Sequence, residues 1–321
     1  MSVLCVAPNP TIDLACETDR VEPIHKIRTR DVRLYPGGGG VNVARVLATL
    51  GDRPFLLTMA GGAQGTLLDA RLAAFDIDHR TVPIEGETRV AFIAHDTMSD
   101  LEYRFVPDGP ALERRELAAF ETAFGDALRS APRWVVLSGS LPRGVPSDTY
   151  VRLARVARES GARVALDTSG EPLRAALAAG GLDLVKPSLR ELESIDGAPL
   201  DEAGVRLAAE RLVSKGSAAR VAVTLGMQGS LLALPGRSIR RPALHVPVHS
   251  ATGAGDSFTA GLVHGLDRGM TEENAFALAL ACGAATVMTP GTELCGRADV
   301  ERLLGAQGVR LFGGARATEA R

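Results

Sequence analysis

The sequence predicts an α/β protein, with a mostly parallel sheet covered on both faces by helices and a small additional sheet. Three observations lead there. Short aliphatic or β-branched runs alternate with longer Ala/Leu/Arg segments of helical period over some 250 residues. The 321 residues, 45% hydrophobic and 23% charged, suffice for one large core. Two stretches break the alternation and carry strand signals without helices. No period of 20–50 residues repeats, which argues against a solenoid.

VLCVA at 3–7 is a short buried strand, and the glycine cluster after it leads into a helix at 41–50. PFLLTMA at 54–60 is the next strand and 65–75 the next helix. A helix at 113–130 precedes WVVLSG at 134–139, and one at 147–160 precedes RVALDTS at 163–169. LDLVK at 182–186, helices at 188–195 and 201–215, and RVAVTLG at 220–226 continue the pattern. Helices at 255–268 and 272–288 close it. The exceptions are 16–35, a polar alternating stretch with Lys26, Arg28, Arg30 and Arg33, and 87–106, a hairpin of ETRVAFIAH and LEYRFV around the turn DTMSD. Pairing in space, they form a lid inserted into a single domain spanning 1–310; the plainer alternative is a decorated sheet edge. Residues 311–321 read as a disordered tail.

Charge excludes one class of partner. With 36 Lys+Arg against 38 Asp+Glu and a net charge of −2, no bulk field is available for nucleic acid. Four cysteines without C-x-x-C spacing suit reduced thiols in a cytoplasmic protein. No basic leader and no unbroken 18-residue apolar stretch is visible, so neither export nor a membrane span is expected. Of 36 basic residues only Lys26, Lys186 and Lys215 are lysines, a hint that a compact ammonium is wanted there. The 35 glycines are the main compositional clue.

Several glycine chemistries fail on spelling. GGGGVNVAR places Asn42 or Val43 where a dinucleotide fingerprint needs its third glycine. No lysine is followed by Ser or Thr, which removes the P-loop, and there is no G-x-S-x-G elbow. His245 and His249 flank Pro247, whose extended backbone does not suit a helical zinc site.

One chemistry survives. In SATGAGDSFTAGLVHGL at 250–266, Gly253, Ala254 and Gly255 let successive amides converge on an anion at a helix start, where the macrodipole adds about half a positive charge. Asp256 stands where a carboxylate takes a proton from a hydroxyl attacking phosphorus; a plain helix cap is the competing reading. Gly37 to Gly40 before a second helix allow close backbone approach to a polyhydroxylated ligand. Asn42 offers a donor and an acceptor, and Asp13 a partner for paired hydroxyls.

GGGGVNVARVLATLG and ATGAGDSF resemble the two signature regions of the ribokinase-like (PfkB) carbohydrate kinases. SGSLPRGV, LDTSGEPLRAAL, LVKPS, VTLGMQGSLLA, PGTELC and YRFVPDGPAL are similar to the minor, ATP-dependent 6-phosphofructokinase type within that family. The resemblance implies a three-layer α/β sandwich with a β-sheet lid. It implies Asp256 as general base and the amides of Gly253, Ala254 and Gly255 as anion hole. It gives Asp13, Gly38, Gly39 and Asn42 to the sugar, and Lys26, Arg28, Arg89, Arg104 and Ser138 to the phosphate already on it. Lys186, Ser188, Thr224, Gly226, Gly229 and Gly283 fall to ATP. Glu191 would organise Mg²⁺ through water, and Ser250, Thr252 and Gly291 would hold K⁺. One departure stands out: Ser188 replaces the Asn of the family's Asn-x-x-Glu, so Ser188→Asn should lower the magnesium requirement or leave it unchanged. The expected reaction is phosphorylation of fructose 6-phosphate by a homodimer joined through its lids. Alternatives are 1-phosphofructokinase, tagatose-6-phosphate kinase, or a non-catalytic sensor of sugar phosphate or nucleotide.

Overall fold

Among residues 2–311, which this computed structural model describes, thirteen strands and ten α-helices form two sheets and their covering layers. The predicted tail at 311–321 lies, but for Leu311, outside the described residues. The strands are β1 (Val3–Ala7), β2 (Thr11–Thr18), β3 (Arg30–Gly37), β4 (Phe55–Ala60), β5 (Asp78–Pro83), β6 (Arg89–Asp96), β7 (Leu101–Phe105), β8 (Trp134–Ser138), β9 (Arg163–Asp167), β10 (Leu184–Val185), β11 (Val221–Thr224), β12 (Ser230–Leu234) and β13 (Arg237–Arg241). The helices are α1 (Gly39–Thr49), α2 (Gly62–Ala74), α3 (Arg114–Leu128), α4 (Thr149–Glu159), α5 (Gly170–Ala179), α6 (Leu189–Asp196), α7 (Glu202–Ser214), α8 (Ala254–Asp267), α9 (Glu272–Val287) and α10 (Arg297–Gly305).

The large sheet runs β13-β12-β11-β10-β9-β8-β1-β4-β5, parallel from β11 to β5, with β12 and β13 antiparallel at one edge. Its central strands are buried on both faces, which is why β1 and β8 read as unbroken apolar runs rather than alternating ones, while the edge strands β5 and β13 are partly exposed. Two apolar cores result. One packs α1, α8 and α9 against one face through Val46, Leu47, Val263 and Phe276; the other packs α3, α4 and α7 through Phe120, Phe124, Leu153 and Val205.

The sequence did not announce β5, β12, β13, α5 or α10. β5, β12 and β13 lack a clear apolar run or are separated by a tight Pro-Gly turn, and α5 begins at Gly170 behind a segment that reads as strand end. The predicted strand at 182–186 shrinks to Leu184–Val185: Leu182 forms only an isolated bridge to Ala218, and beyond Lys186 Pro187 has no N–H to extend the ladder.

The second sheet has the order β3-β2-β6-β7. β2 starts at Thr11, before the stretch marked at 16–35, so Asp13 sits inside a strand rather than in a turn. The DTMSD turn is tied by Asp96, whose carboxylate accepts the N–H groups of Val21, Met98 and Ser99 at 2.9, 3.0 and 3.0 Å. Register divides this sheet into two chemically different faces. Asp13 pairs with Ala91 and Tyr35, Thr11 with Arg89, and Ile93 with Arg104, so Asp13, Arg89 and Arg104 share one face. Leu14 pairs with Phe92 and Leu34, and Phe92 with Phe105, so the opposite face is apolar. Leu101 and Phe105 there are 56% and 59% exposed.

Candidate active site

The carboxyl ends of β8, β9, β10 and β11 place Ser138, Asp167, Lys186 and Thr224 along one rim of the large sheet, where open α/β sheets bind ligands. α8 enters this rim. Its N-cap, Gly253, has φ 78°, in the left-handed region that an L side chain rarely adopts, and a Cβ there would meet Leu294. The helix is held close to α9 because Gly261 has no side chain where the Cys282 sulfur lies; a Cβ would stand 2.8 Å from it. Gly283 likewise faces the Ala254 carbonyl, 3.3 Å from where its Cβ would be, and so supports the start of α8.

Asp256, in the first turn of α8, receives a hydrogen bond from the Asn42 carboxamide at 2.8 Å (Nδ2 to Oδ2). Burial first, and then the nearby Asp167 charge, push its carboxyl up to about 7, against the opposing pull of Asn42 and Lys186. Lys186 is 6% exposed, and its ammonium lies 3.2 Å from Asp167 Oδ1. Burial works against that ammonium, but the carboxylates of Asp167, Glu191 and Asp256 outweigh it and hold its pKa above the ordinary value. A Cβ on Gly255 would stand 3.4 Å from Lys186 Nζ, so the amides at the start of α8 and a fixed ammonium border one small volume. Asp167 also accepts from Thr259 at 2.8 Å.

The glycines that close β3 and open α1 meet the other side of this volume. A Cβ on Gly37 would overlap the Asp13 carboxylate, and one on Gly39 would overlap the Ser138 hydroxyl. Burial raises the Asp13 carboxyl to about 6 despite Arg45, Thr11, Arg89 and Arg104. Ser138 is 1% exposed and its hydroxyl has no hydrogen-bond partner among the described residues, as expected of a group kept for a ligand. Arg89 donates to the carbonyls of Pro10, Pro107 and Asn9 at 3.3, 2.9 and 2.7 Å, which fixes its guanidinium near Asp13. It borders an open cavity of about 580 Å³ with Thr88, Asp108 and Arg143.

On the far side of Lys186, Ser188 bridges to Thr224, and Gly226 and Gly229 turn the chain back from β11 into β12. Ser188 does something its sequence position did not announce: it is the N-cap of α6. Its hydroxyl accepts the Glu191 N–H at 3.4 Å, while Glu191 Oε2 accepts the Ser188 N–H at 2.7 Å, a reciprocal capping box. The loop of Ser250 and Thr252 adjoins the second sheet, where Thr252 donates to Glu102 at 3.0 Å. A Cβ on Gly291 would stand 2.8 Å from that of Ala15, and the buried hydroxyl of Thr292 is without a partner among the described residues.

Not every predicted residue reaches this rim. Lys26 and Arg28 lie in the exposed loop between β2 and β3, and among the described residues their side chains form no hydrogen bond or ion pair. Arg104 is half-exposed, 4.0 Å from Glu102. Conversely, sequence reasoning passed over Asp167, Thr259 and Arg45. An acid closing a parallel strand was the available signal for Asp167; Arg45, on an apolar helix, gave none.

The pfkB family carbohydrate kinase profile matches residues 3–298. The chain is 39% identical over 301 residues to the ATP-dependent 6-phosphofructokinase isozyme 2 of Mycobacterium tuberculosis, covering 94% of this chain and 88% of that one. The crystal structure of Escherichia coli phosphofructokinase-2 in complex with potassium superposes with a TM-score of 0.89 at 33% identity, over 96% of this chain and 99% of that one. Thermotoga maritima ribokinase, at 23% identity and a TM-score of 0.74 over 95% and 99% of the two chains, shares the fold.

Proposed function

This chain belongs to the pfkB family of carbohydrate kinases, and from that premise we propose that it is an ATP-dependent 6-phosphofructokinase, converting fructose 6-phosphate and ATP to fructose 1,6-bisphosphate and ADP. The observation that carries this reading is a half-buried carboxylate, Asp256, at the start of α8 beside the backbone of Gly253, Ala254 and Gly255 and the buried ammonium of Lys186, with the Ala254 N–H held by the Ala251 carbonyl at 3.4 Å. The sugar's 1-hydroxyl oxygen attacks the γ-phosphorus while Asp256 takes its proton and the bond to the β-phosphate oxygen breaks, releasing ADP. Amides and ammonium offset the charge on the transferring group.

Asp13, Gly38, Gly39 and Asn42 hold the sugar ring. Arg89, Arg104 and Ser138 face the phosphate it already bears, and Lys26 and Arg28 bring further charge from the exposed loop. Thr224, Gly226, Gly229 and Ser188 line the nucleotide side, with Gly283 behind them. Magnesium, usual in this family, fits a rim where Asp167 and Glu191 lie near Lys186, since it keeps most of its waters and needs few protein oxygens. When bound it neutralises phosphate charge. A monovalent cation fits the segment of Ser250, Thr252 and Gly291, where the partnerless Thr292 hydroxyl offers an oxygen; it would steady the loop leading into α8. The second sheet acts as a lid, and its apolar face, with Leu14, Leu34, Phe92 and Phe105, suits a second copy of the chain. Among the described residues no helix is long and apolar enough to cross a membrane. The four free thiols accord with a cytoplasmic setting.

Coupled measurement of ADP release with fructose 6-phosphate, fructose 1-phosphate and tagatose 6-phosphate, with Mg²⁺ and with or without K⁺, tests the reading. The highest kcat/KM is expected with fructose 6-phosphate. Preference for another acceptor would move the chain to a sister activity. Binding without turnover on any acceptor would make it a sensor.

A further inference from the structure

Asn42 reaches Asp256 with a group whose two ends look alike, a carboxamide, and something has to decide which end faces the carboxylate. If the oxygen faced it, two acceptors would meet, and Asp256 would be held protonated; if the N–H₂ faces it, the ionised form is favoured. The neighbour that decides is Arg45, one turn further along α1.

Arg45 is buried, and its Nη1 donates to the Asn42 Oδ1 at 3.3 Å and to the Pro36 carbonyl at 3.0 Å. Its guanidinium is packed between aromatic rings, 5.5 Å from the centre of Tyr35 and 4.7 Å from that of Phe75. Among the described residues it forms no ion pair, an expensive state for a buried cation. A guanidinium has five donors and no acceptor, so it meets the carboxamide only at its oxygen and turns the N–H₂ toward Asp256.

We propose that Arg45 is a positioning residue for phosphoryl transfer: it locks the orientation of Asn42, so that the Asn42 N–H occupies Asp256 Oδ2 and leaves Oδ1 to receive the proton of the sugar hydroxyl. This rests on the reading of Asp256 as the base. The charged groups around the pair are Asp167 from β9, Lys186 after β10 and Asp13 from β2 on the Asp256 side. On the Arg45 side they are Asp13, Tyr35 from β3, and Glu293 and Cys295 from the segment before α10. Burial draws the guanidinium down to about 10, so it remains charged across the range in which Asp256 titrates.

The test is kcat/KM for the preferred phosphosugar between pH 5.5 and 9 in wild type, Arg45→Met, Arg45→Lys, Asn42→Ala and the Arg45→Met, Asn42→Ala double variant. Arg45→Met should move the acid limb up by about one pH unit, an activity loss of roughly 10-fold at pH 6.5 that shrinks toward pH 9. Arg45→Lys, also a pure donor, should restore most of that limb. In the Asn42→Ala background Arg45→Met should cost less than about 2-fold, because its route to Asp256 is already gone. An unmoved acid limb in Arg45→Met, or a full and independent loss in the double variant, would overturn the proposal. If Arg45→Met does not fold, Arg45→Gln serves in its place, since glutamine faces Asn42 with either a donor or an acceptor and should shift the limb in the same direction. A wild type inactive on every acceptor would instead sink the kinase reading itself.

Discussion

Asp256, Asn42, Lys186 and Asp167 come from four separate parts of the chain, Asn42 and Lys186 buried and the two aspartates partly so, and pair with one another at 2.8 and 3.2 Å. Lys26 and Arg28, equally polar and assigned to the same substrate, project from an exposed loop of the second sheet with no partner among the described residues. The difference separates two tasks. Groups that meet developing charge are pre-oriented in a dry setting, where their fields are strong. Groups that capture a dianion can stay solvated and mobile until the substrate arrives, and act mainly on binding.

The largest effect that would break this division is expected at Asp256. Asp256→Asn should lower kcat by about 10³-fold while calorimetric binding of ADP and phosphosugar changes by less than about 3-fold. The same variant should be more stable at pH 8. The folded-state pKa of about 7 stands above the ordinary 3.8, so the stability this group contributes is full below 3.8 and is lost as pH rises through 7. The gain in Tm, a few degrees, should therefore vanish near pH 4. Normal turnover would remove Asp256 from the chemistry.

A smaller effect, of a different kind, is expected in the loop. The combined variant Lys26→Ala, Arg28→Ala should raise KM for the phosphosugar about 10-fold with kcat within about 2-fold, and wild-type KM should climb with salt as these exposed charges are screened. A matching fall in kcat would place the loop in the chemistry and collapse the contrast. Smallest is Ser188→Ala, which should cost about 1 kcal/mol in denaturant unfolding through the lost cap, whereas Ser188→Asn, another good cap, should keep stability within a few tenths of a kcal/mol. Ser188→Asn should also leave the magnesium requirement unchanged or lower; a large loss of activity in it would separate Ser188 from the metal's surroundings.

What the sequence disclosed follows the same division. The parallel core was legible because strands buried on both faces must be apolar throughout, as Val135 to Leu137 are. The helix start before Asp256 was legible because its N-cap, Gly253, takes a positive φ that favours glycine. Asp167 was hidden, since its meaning depends on a lysine 19 positions away that only the parallel sheet brings to 3.2 Å. Arg45 was hidden for a stronger reason: its helical spacing points into an apolar core, and only the packing of Tyr35 and Phe75 makes room there for a cation. Ser188 shows the converse. Its departure from a motif drew attention to magnesium, while the folded chain uses its hydroxyl to start a helix.

The central claim, that a half-buried, acid-crowded Asp256 takes the proton, is tested most directly by the pH dependence of kcat/KM for fructose 6-phosphate with saturating ATP and Mg²⁺. The site predicts activity that rises with pH and reaches half its plateau near pH 7, where the Asp256 carboxyl ionises, with a weaker inflection near 6 from Asp13. A flat profile from pH 5 to 8 would contradict it.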